Sequence, residues 1–154
     1  MGDNVRVVKM TKSDICAVDA LENEVFGDTA APLEFLIDAL DDPNGYLYVA
    51  YIGNELVAHC AMSHKTVTIP NYCNIGNMMV KKEFRKKGIG KLLMNVMLDK
   101  AKELGLDRAT LKVATENSVA VDLYKTFGFQ VEELIENFYA DEGGDAYVMW
   151  CYLI

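Results

Sequence analysis

The sequence predicts an α/β domain with a mixed, mostly antiparallel sheet of about six to seven strands flanked by about four helices. Short runs of β-branched and aromatic residues alternate with longer segments of helical periodicity. Turn residues separate the early strands, which indicates hairpins, whereas helices separate the later strands, which indicates crossovers. Because 154 residues is the usual length of one domain, we expect a single domain over residues 1–154.

Apolar spacing and helix-start signals predict the first strand and the first two helices. Residues 5–10 (VRVVKM) are expected to form a strand that ends at Thr11-Lys12-Ser13-Asp14, a helix-start signal. Apolar residues then recur at helical spacing until Gly27-Asp28 breaks the helix. Residues 32–40 are expected to form a short second helix with a proline in its first turn.

A hairpin and a third strand come next. Residues 41–45 (DDPNG) have the composition of a turn. Residues 46–52 and 56–64 are apolar runs joined by Gly53-Asn54, which is typical of a two-residue hairpin turn. Residues 73–80 are expected to form the next strand, so the hairpin precedes a strand that leads into a glycine-rich segment.

The helix after Gly88 has the clearest amphipathic pattern in the sequence. Gly105 is expected to end it, because glycine is common just beyond a helix C-terminus. A single apolar stripe is formed by Ile89, Leu92, Leu93, Val96, Met97 and Ala101. Such a stripe predicts that one face of the helix is buried.

The last third of the chain combines strands with one helix. Residues 109–114 are a predicted strand, and Asn117 or its neighbour is expected to cap a helix that runs to about residue 127. Two final strands are predicted over 129–134 and 146–153. The segment between them is rich in Asp, Glu and Gly, which indicates a hairpin.

Composition and charge exclude several classes of function. A formal net charge of −8 argues against a nucleic-acid or anionic membrane partner, since both need a basic surface. It suits solubility, or cationic partners such as amines and basic peptides. The N-terminus lacks an apolar signal segment, and no apolar run is long enough to span a membrane. We therefore expect a cytoplasmic protein, as a monomer or a homodimer.

The cysteines and histidines do not have the spacing of a metal site. Cys16, Cys60, Cys73 and Cys151 form no CxxC pair, and the two histidines lie five residues apart on a predicted strand. The apolar runs around Cys60 and Cys151 indicate small core residues. We expect no metal, and the pattern fits a reducing compartment.

A basic cluster lies at the start of the amphipathic helix. Six of the fifteen Lys and Arg residues fall between positions 81 and 91. Gly88 and Gly90 lie among them, and a glycine-rich turn at a helix N-terminus lets backbone N–H groups approach a phosphate. Neither a P-loop nor a dinucleotide-binding glycine pattern is present. Alone, the cluster predicts either an anion site or a solvated basic surface.

Two motifs resolve this choice. Met78-Met79-Val80 followed by Arg85-Lys86-Lys87-Gly88-Ile89-Gly90 resembles the acyl-CoA pyrophosphate loop of the GNAT acetyltransferase superfamily, whose pattern is Q/R-x-x-G-x-G/A. Asn117-Ser118, Leu123-Tyr124 and Phe127-Gly128-Phe129 resemble its second cofactor motif. The resemblance implies the GNAT acyl-CoA N-acyltransferase fold and acetyl-CoA as cosubstrate.

The C-terminal segment resembles a narrower group. Residues 136–141 (ENFYAD) and 143–149 (GGDAYVM) are similar to the NYY…DA…M hairpin of N-terminal protein acetyltransferases, among them the ribosomal-protein alanine acetyltransferases. Phe138 stands where that pattern has Tyr. The resemblance implies that Tyr139 contacts substrate, and that Phe26, between the first two helices, packs against the first substrate residue. A core role for Phe26 is an equal alternative.

The resemblance also assigns cofactor contacts and a general acid. Tyr124 matches the acid that protonates the CoA thiolate, and a phenol of pKa about 10 is suited to that step. Packing of Tyr124 in the core is the alternative. The residues implied to bind the cofactor are Met79, Val80, Arg85, Lys86, Lys87, Gly88, Ile89, Gly90, Lys91 and Asn117.

The chain departs from the family at the catalytic base. Lys112 occupies the strand position where the nearest relatives have Glu or His, and a cationic lysine cannot accept a proton. Glu116 and His59 are weaker candidates, better explained as a capping charge and a hydrogen-bonded core histidine. At pH 7 roughly a seventh of an α-amine of pKa about 7.8 is neutral, against about one part in 2,500 of a lysine amine. A site without a base therefore favours an α-amine.

These observations predict an acetyl-CoA-dependent N-acetyltransferase acting on the N-terminal α-amine of a protein or peptide. One alternative is a small-molecule amine acetyltransferase of the same fold. The other is a CoA-binding module that has lost catalysis, which Lys112 would favour and Tyr124 opposes.

Overall fold

A computed structural model describes residues 4–65, 71–139 and 144–153. Within these residues the strands are β1 Val5–Lys9, β2 Gly45–Ile52, β3 Glu55–Lys65, β4 Tyr72–Val80, β5 Arg108–Ala114, β6 Gln130–Tyr139 and β7 Gly144–Tyr152. The helices are α1 Ile15–Phe26, α2 Leu33–Asp41, α3 Ile89–Glu103 and α4 Ser118–Thr126. Short 3₁₀ turns cover Lys12–Asp14, Gly27–Thr29 and Lys82–Phe84.

The described strands form a seven-stranded sheet in the order β1-β2-β3-β4-β5-β7-β6. β4 and β5 pair in parallel, whereas β1–β2, β2–β3, β5–β7 and β6–β7 pair antiparallel. The predicted mixed, mostly antiparallel sheet with four helices is therefore confirmed.

One compact unit of the chain contains residues 4–63 and 77–97. Its first helix begins as the sequence predicts: the Thr11 N–H donates to Asp14 Oδ2 at 2.9 Å, and Gly27, at φ +55°, follows the last helical residue. Tyr51 from β2 donates its hydroxyl hydrogen bond to the buried Asp14. The core of this unit consists of Met10, Val18, Leu21, Leu47, Val49, Leu56 and Met79.

The second unit contains residues 98–153 together with the described residues between 64 and 76. Its central strand β5 is fixed on β7 by a buried hydrogen bond from Thr110 Oγ1 to the Met149 carbonyl, 2.9 Å long. The predicted burial of Cys60, in the first unit, and of Cys151 here is confirmed. Burial raises the pKa of Cys60 to about 12, so this thiol is neutral.

The buried face of α3 differs from the predicted stripe. Leu92 is 37% exposed, whereas Met94 is fully buried and Leu98 is nearly so. The buried face is centred on Leu93 and Met97, four residues apart, and extends toward 94 and 98 rather than 92 and 96. The helix itself carries apolar residues on more than one side, so their spacing alone does not identify the centre of its buried face.

The last hairpin is longer than predicted. β6 continues to Tyr139 instead of ending at residue 134, and β7 begins at Gly144 instead of 146. Most of β6 is exposed on both faces, so it lacks the alternation by which half-buried strands are recognised. Asp141 and Glu142, also predicted to lie in this hairpin, fall outside the described residues.

Candidate active site

The first group of predicted site residues lies where β4 ends. Met79 is buried and Val80 is half-buried. The next backbone N–H, that of Lys81, donates to the Val57 carbonyl at 2.8 Å, which holds the end of β4 beside β3. The chain then turns through Lys82–Phe84 into the glycine-rich loop. The loop is therefore fixed at its start by a strand of the core.

The loop itself contains two residues in the left-handed region. Lys86 has φ +63° and Gly88 has φ +85°. A non-glycine residue in this conformation costs about 1–2 kcal/mol, so Lys86 is held there by its surroundings. A Cβ on Gly88 would meet open space, so only its backbone angle requires glycine. The Leu92 N–H donates to the Gly88 carbonyl at 3.1 Å, which starts α3 directly after this glycine.

This geometry makes the N-terminus of α3 a candidate anion site. The first N–H groups of a helix have no intrahelical partner, and the helix dipole adds roughly half a positive charge. Ile89 is buried and anchors the first turn, while Gly90 adds no side chain. Because the 15-residue α3 is long and anchored in the core, its N–H groups are held in fixed positions. They can cradle a phosphate.

Arg85, Lys86, Lys87 and Lys91, in the loop and the first turn of α3, form no ion pair with the described residues. Within the described ranges, the ion pairs are Lys81–Glu55 and Lys100–Glu103. Arg85 donates from Nε to the Val80 carbonyl at 2.9 Å, and Lys87 lies 5.7 Å from the Phe84 ring centroid. The predicted phosphate contacts of Arg85 are thus limited to its terminal nitrogens. Lys86 and Lys91 are exposed.

The second group lies on α4, in the other unit. Asn117 accepts a hydrogen bond on Oδ1 from the Ala120 N–H at 3.2 Å, which confirms the predicted helix cap. Tyr124 packs edge-on against the buried Phe129 with ring centroids 6.1 Å apart. Burial, and to a lesser degree the nearby Tyr139, raises the pKa of Tyr124. The phenol is therefore a protonated donor at neutral pH.

The candidate bases lie on β5, in the segment before α4 and on β3. Lys112 is exposed on β5 between the buried Leu111 and Val113, as the strand alternation predicts, and Glu116 is exposed. His59 is 1% exposed, and its Nδ1–H donates to the Tyr48 carbonyl at 3.0 Å. Burial lowers the pKa of His59 to about 4, so it is a weak base.

The predicted substrate contacts lie in different units. Phe26 ends α1 in the first unit and is 41% exposed, which leaves its ring available to a ligand. Tyr139 ends β6 in the second unit, stacked edge-on against Phe138 at 4.9 Å. Asp145 accepts a hydrogen bond from the Asn137 N–H at 2.9 Å and so braces this hairpin.

The sequence did not predict a cavity of about 220 Å³ in the first unit. Asp19 and Glu22 on α1, His59 on β3 and Asn77 on β4 contribute its polar lining. A carboxylate pair three residues apart on one helix is the only local signal that could have indicated it.

The described ranges contain neither a metal-binding cluster nor a membrane-spanning helix. No group of three or more His, Cys, Asp and Glu residues among them could hold a metal ion. None of the described helices is long and apolar enough to cross a membrane.

Comparison with known proteins identifies the same family as the motifs. The model of the acetyltransferase (GNAT) family matches residues 14–129. The N-alpha-acetyltransferase RimI of Mycobacterium tuberculosis is 30% identical over 146 residues, covering 94% of this chain and 90% of that protein.

Two solved structures share the fold at 17% identity and a TM-score of 0.86. One is the ribosomal-protein-S18-alanine N-acetyltransferase from Escherichia coli, covering 97% of this chain and 94% of that one. The other is Arabidopsis thaliana NAA60 in complex with acetyl-CoA, covering 97% and 99%.

Proposed function

The chain belongs to the acetyltransferase (GNAT) family, and on this basis we propose that it transfers the acetyl group of acetyl-CoA to the N-terminal α-amine of a protein or peptide. Acetyl-CoA binding is supported by the candidate anion site at the start of α3. There the first N–H groups of the helix have no intrahelical partner, and the neighbouring loop cations have no ion pair with the described residues. The pyrophosphate of CoA has the charge and size for this site. The bound acetyl-CoA of the NAA60 structure supports the same ligand.

The choice of an α-amine rests on the missing base. Lys112 is exposed and cationic where an acceptor would be needed, and His59 is a weak base. An amine must then reach the thioester already neutral, which costs about 1.1 kcal/mol for an α-amine at pH 7 and about 4.6 kcal/mol for a lysine. The name of the Mycobacterium tuberculosis relative, an N-alpha-acetyltransferase, supports this choice.

The proposed reaction is direct transfer in a ternary complex. The neutral amine nitrogen attacks the thioester carbonyl carbon, and the tetrahedral oxyanion collapses with cleavage of the C–S bond. Tyr124 donates its proton to the departing thiolate, and the proton lost by the amine passes to water. Met79 and Val80 hold the pantetheine arm, Asn117 contacts it, and Phe26 and Tyr139 contact the substrate. We also propose that the protein acts in the cytoplasm, which its four free cysteines support.

The proposal is tested by release of CoA thiol from acetyl-CoA against two panels. One holds short peptides with varied first residues, and the other holds polyamines, amino acids and aminoglycosides. We expect turnover of peptides only, abolished when their N-terminus is already acetylated. Turnover confined to small amines would contradict the N-terminal assignment. Tight acetyl-CoA binding without turnover of either panel would indicate a CoA-binding module, as the exposed Lys112 would allow.

A further inference from the structure

Two acidic side chains line the cavity in the first unit, and no lysine or arginine of the described residues neutralises them. Asp19 and Glu22 lie three residues apart on α1 and both line the cavity. Glu22 uses Oε2 to accept the Ala31 N–H at 3.1 Å, which points its carboxylate toward the loop before α2. No lysine or arginine of the described chain lines the cavity. Neither carboxylate takes part in an ion pair with the described residues.

The opposite wall of the cavity contributes an uncharged hydrogen-bond acceptor. His59 is 1% exposed and lines the cavity. Its Nδ1 faces the Tyr48 carbonyl, which can only accept, so Nδ1 must carry the ring proton. In the neutral ring Nε2 is then an acceptor, and the only hydrogen bond between the ring and a described residue is the one at Nδ1. Nε2 is therefore available to a ligand that carries a hydrogen-bond donor.

The remainder of the lining is apolar. Phe35 and Leu36 of α2 belong to it, together with Leu47 and Ala61 of the hairpin strands. Phe35 is 65% exposed overall, although it lies beside the cavity. A cavity lined by apolar side chains, two carboxylates and the Nε2 acceptor suits a long aliphatic chain with a donor-rich, positively charged end.

We propose that this cavity binds the alkylammonium or guanidinium side chain of a basic residue, lysine or arginine, at one of the first two positions of the peptide substrate. This inference rests on the proposed function. Asn77 lies on the cavity wall two residues before Met79 on β4, about 7 Å along the strand. The side chain of an early residue can therefore enter the cavity while the α-amine lies beside the strand that holds the acetyl-pantetheine.

The test compares lysine with norleucine, which has an aliphatic chain of similar length and no charge. Peptides with either residue at position 1 or 2 are assayed for kcat/KM, and the same peptides are titrated calorimetrically with CoA present. We expect lysine to be preferred by about tenfold, the equivalent of about 1.4 kcal/mol. The double variant Asp19→Asn, Glu22→Gln removes both charges with little change in shape, and the preference should fall toward one.

Asp38→Asn is the matched control, because Asp38 is an exposed acid of α2 outside the cavity. This control should keep the lysine preference. Peptide turnover or binding without a lysine preference in the wild type, or a preference that the double variant keeps, would overturn the inference and leave N-terminal acetylation standing. Turnover of spermidine but of no peptide, lost in the double variant, would overturn the proposed N-terminal substrate while the cationic site stands.

Discussion

Lys112 is the residue that most constrains the chemistry. Lys112 is exposed on β5 between buried Leu111 and Val113, and the family resemblance implies a proton acceptor at this position. An ammonium group there repels an incoming protonated amine and accepts no proton. The rate on any substrate should therefore follow the fraction of its amine that is neutral in solution.

The variant Lys112→Glu should raise kcat/KM on peptide substrates at pH 7 by up to about sixfold, because a carboxylate can relieve the deprotonation cost of about 1.1 kcal/mol. Lys112→Met is the control, since it removes the charge without supplying an acceptor. CoA release as a function of pH measures both. Loss of all activity in Lys112→Glu would instead mean that the lysine has a positive role in catalysis.

Tyr124 should behave as an acid whose removal affects turnover and not binding. Tyr124→Phe is expected to lower kcat by about 10²-fold with the acetyl-CoA Kd unchanged, since phenylalanine keeps the edge-on contact with Phe129. Because burial raises the pKa of Tyr124 above its ordinary value of about 10, the wild type should show no alkaline loss of activity below that pH. Tyr152→Phe, at an exposed tyrosine, is the control. Full activity of Tyr124→Phe would remove the residue from the mechanism.

At the scale of the element, the segment from β4 to α3 combines a fixed strand end, a strained loop and a helix N-terminus. Two hydrogen bonds fix the end of β4. The Lys81 N–H donates to the Val57 carbonyl, and Arg85 Nε donates to the Val80 carbonyl. Two left-handed residues then reverse the chain so that α3 begins at Ile89. The anion site therefore depends on backbone angles as much as on its lysines.

The variant Gly88→Ala tests this dependence. Alanine at φ +85° is strained by about 1 kcal/mol or more, and the strain can be relieved only by moving the N–H groups of the first turn. We expect acetyl-CoA to bind about fivefold to tenfold more weakly by calorimetry. Gly53→Ala is the matched control, because Gly53 has φ +61° and open space around its Cβ but lies in the turn between β2 and β3, outside the glycine-rich loop. It should lower the Tm and leave the acetyl-CoA Kd unchanged. Equal affinity of Gly88→Ala and the wild type would contradict the role of the loop.

Elements with strong local signals were predicted well, and those shaped by tertiary contacts were not. The capping residues Asp14 and Asn117 act within three residues of themselves, so their sequence pattern is sufficient. The extent of β6 depends on pairing with β7, and its exposed residues have no alternation. The glycine-rich turn before α3 is contiguous in sequence and could be predicted as the start of a helix. The cavity combines residues of α1, α2, β2, β3 and β4 that share no local pattern.

At the scale of the whole molecule, acidic charge and buried groups make folding stability depend on pH. The chain carries a formal net charge of −8, and most of its described acidic side chains are exposed. His59 is different because it is buried and neutral, and the folded protein must either exclude its proton or bury a charge. Its environment in the first unit should therefore set part of the acid sensitivity of the protein.

The free energy of unfolding should fall as the pH is lowered from about 6.5 to about 4. In this window the unfolded chain binds a proton at His59, whose ordinary pKa is 6.5, while the folded chain does not bind it until about pH 4. The loss integrates to about 3 kcal/mol at ~1.36 kcal/mol per pH unit.

His59→Gln removes the titration and keeps a donor for the Tyr48 carbonyl. Denaturant unfolding at a series of pH values should show a shallower acid loss in this variant, because the titration of His59 no longer contributes. A parallel loss of stability in the wild type and the variant would mean that burial does not keep the His59 imidazole neutral. Its Nε2 atom could then not be assigned as an unpaired acceptor in the cavity.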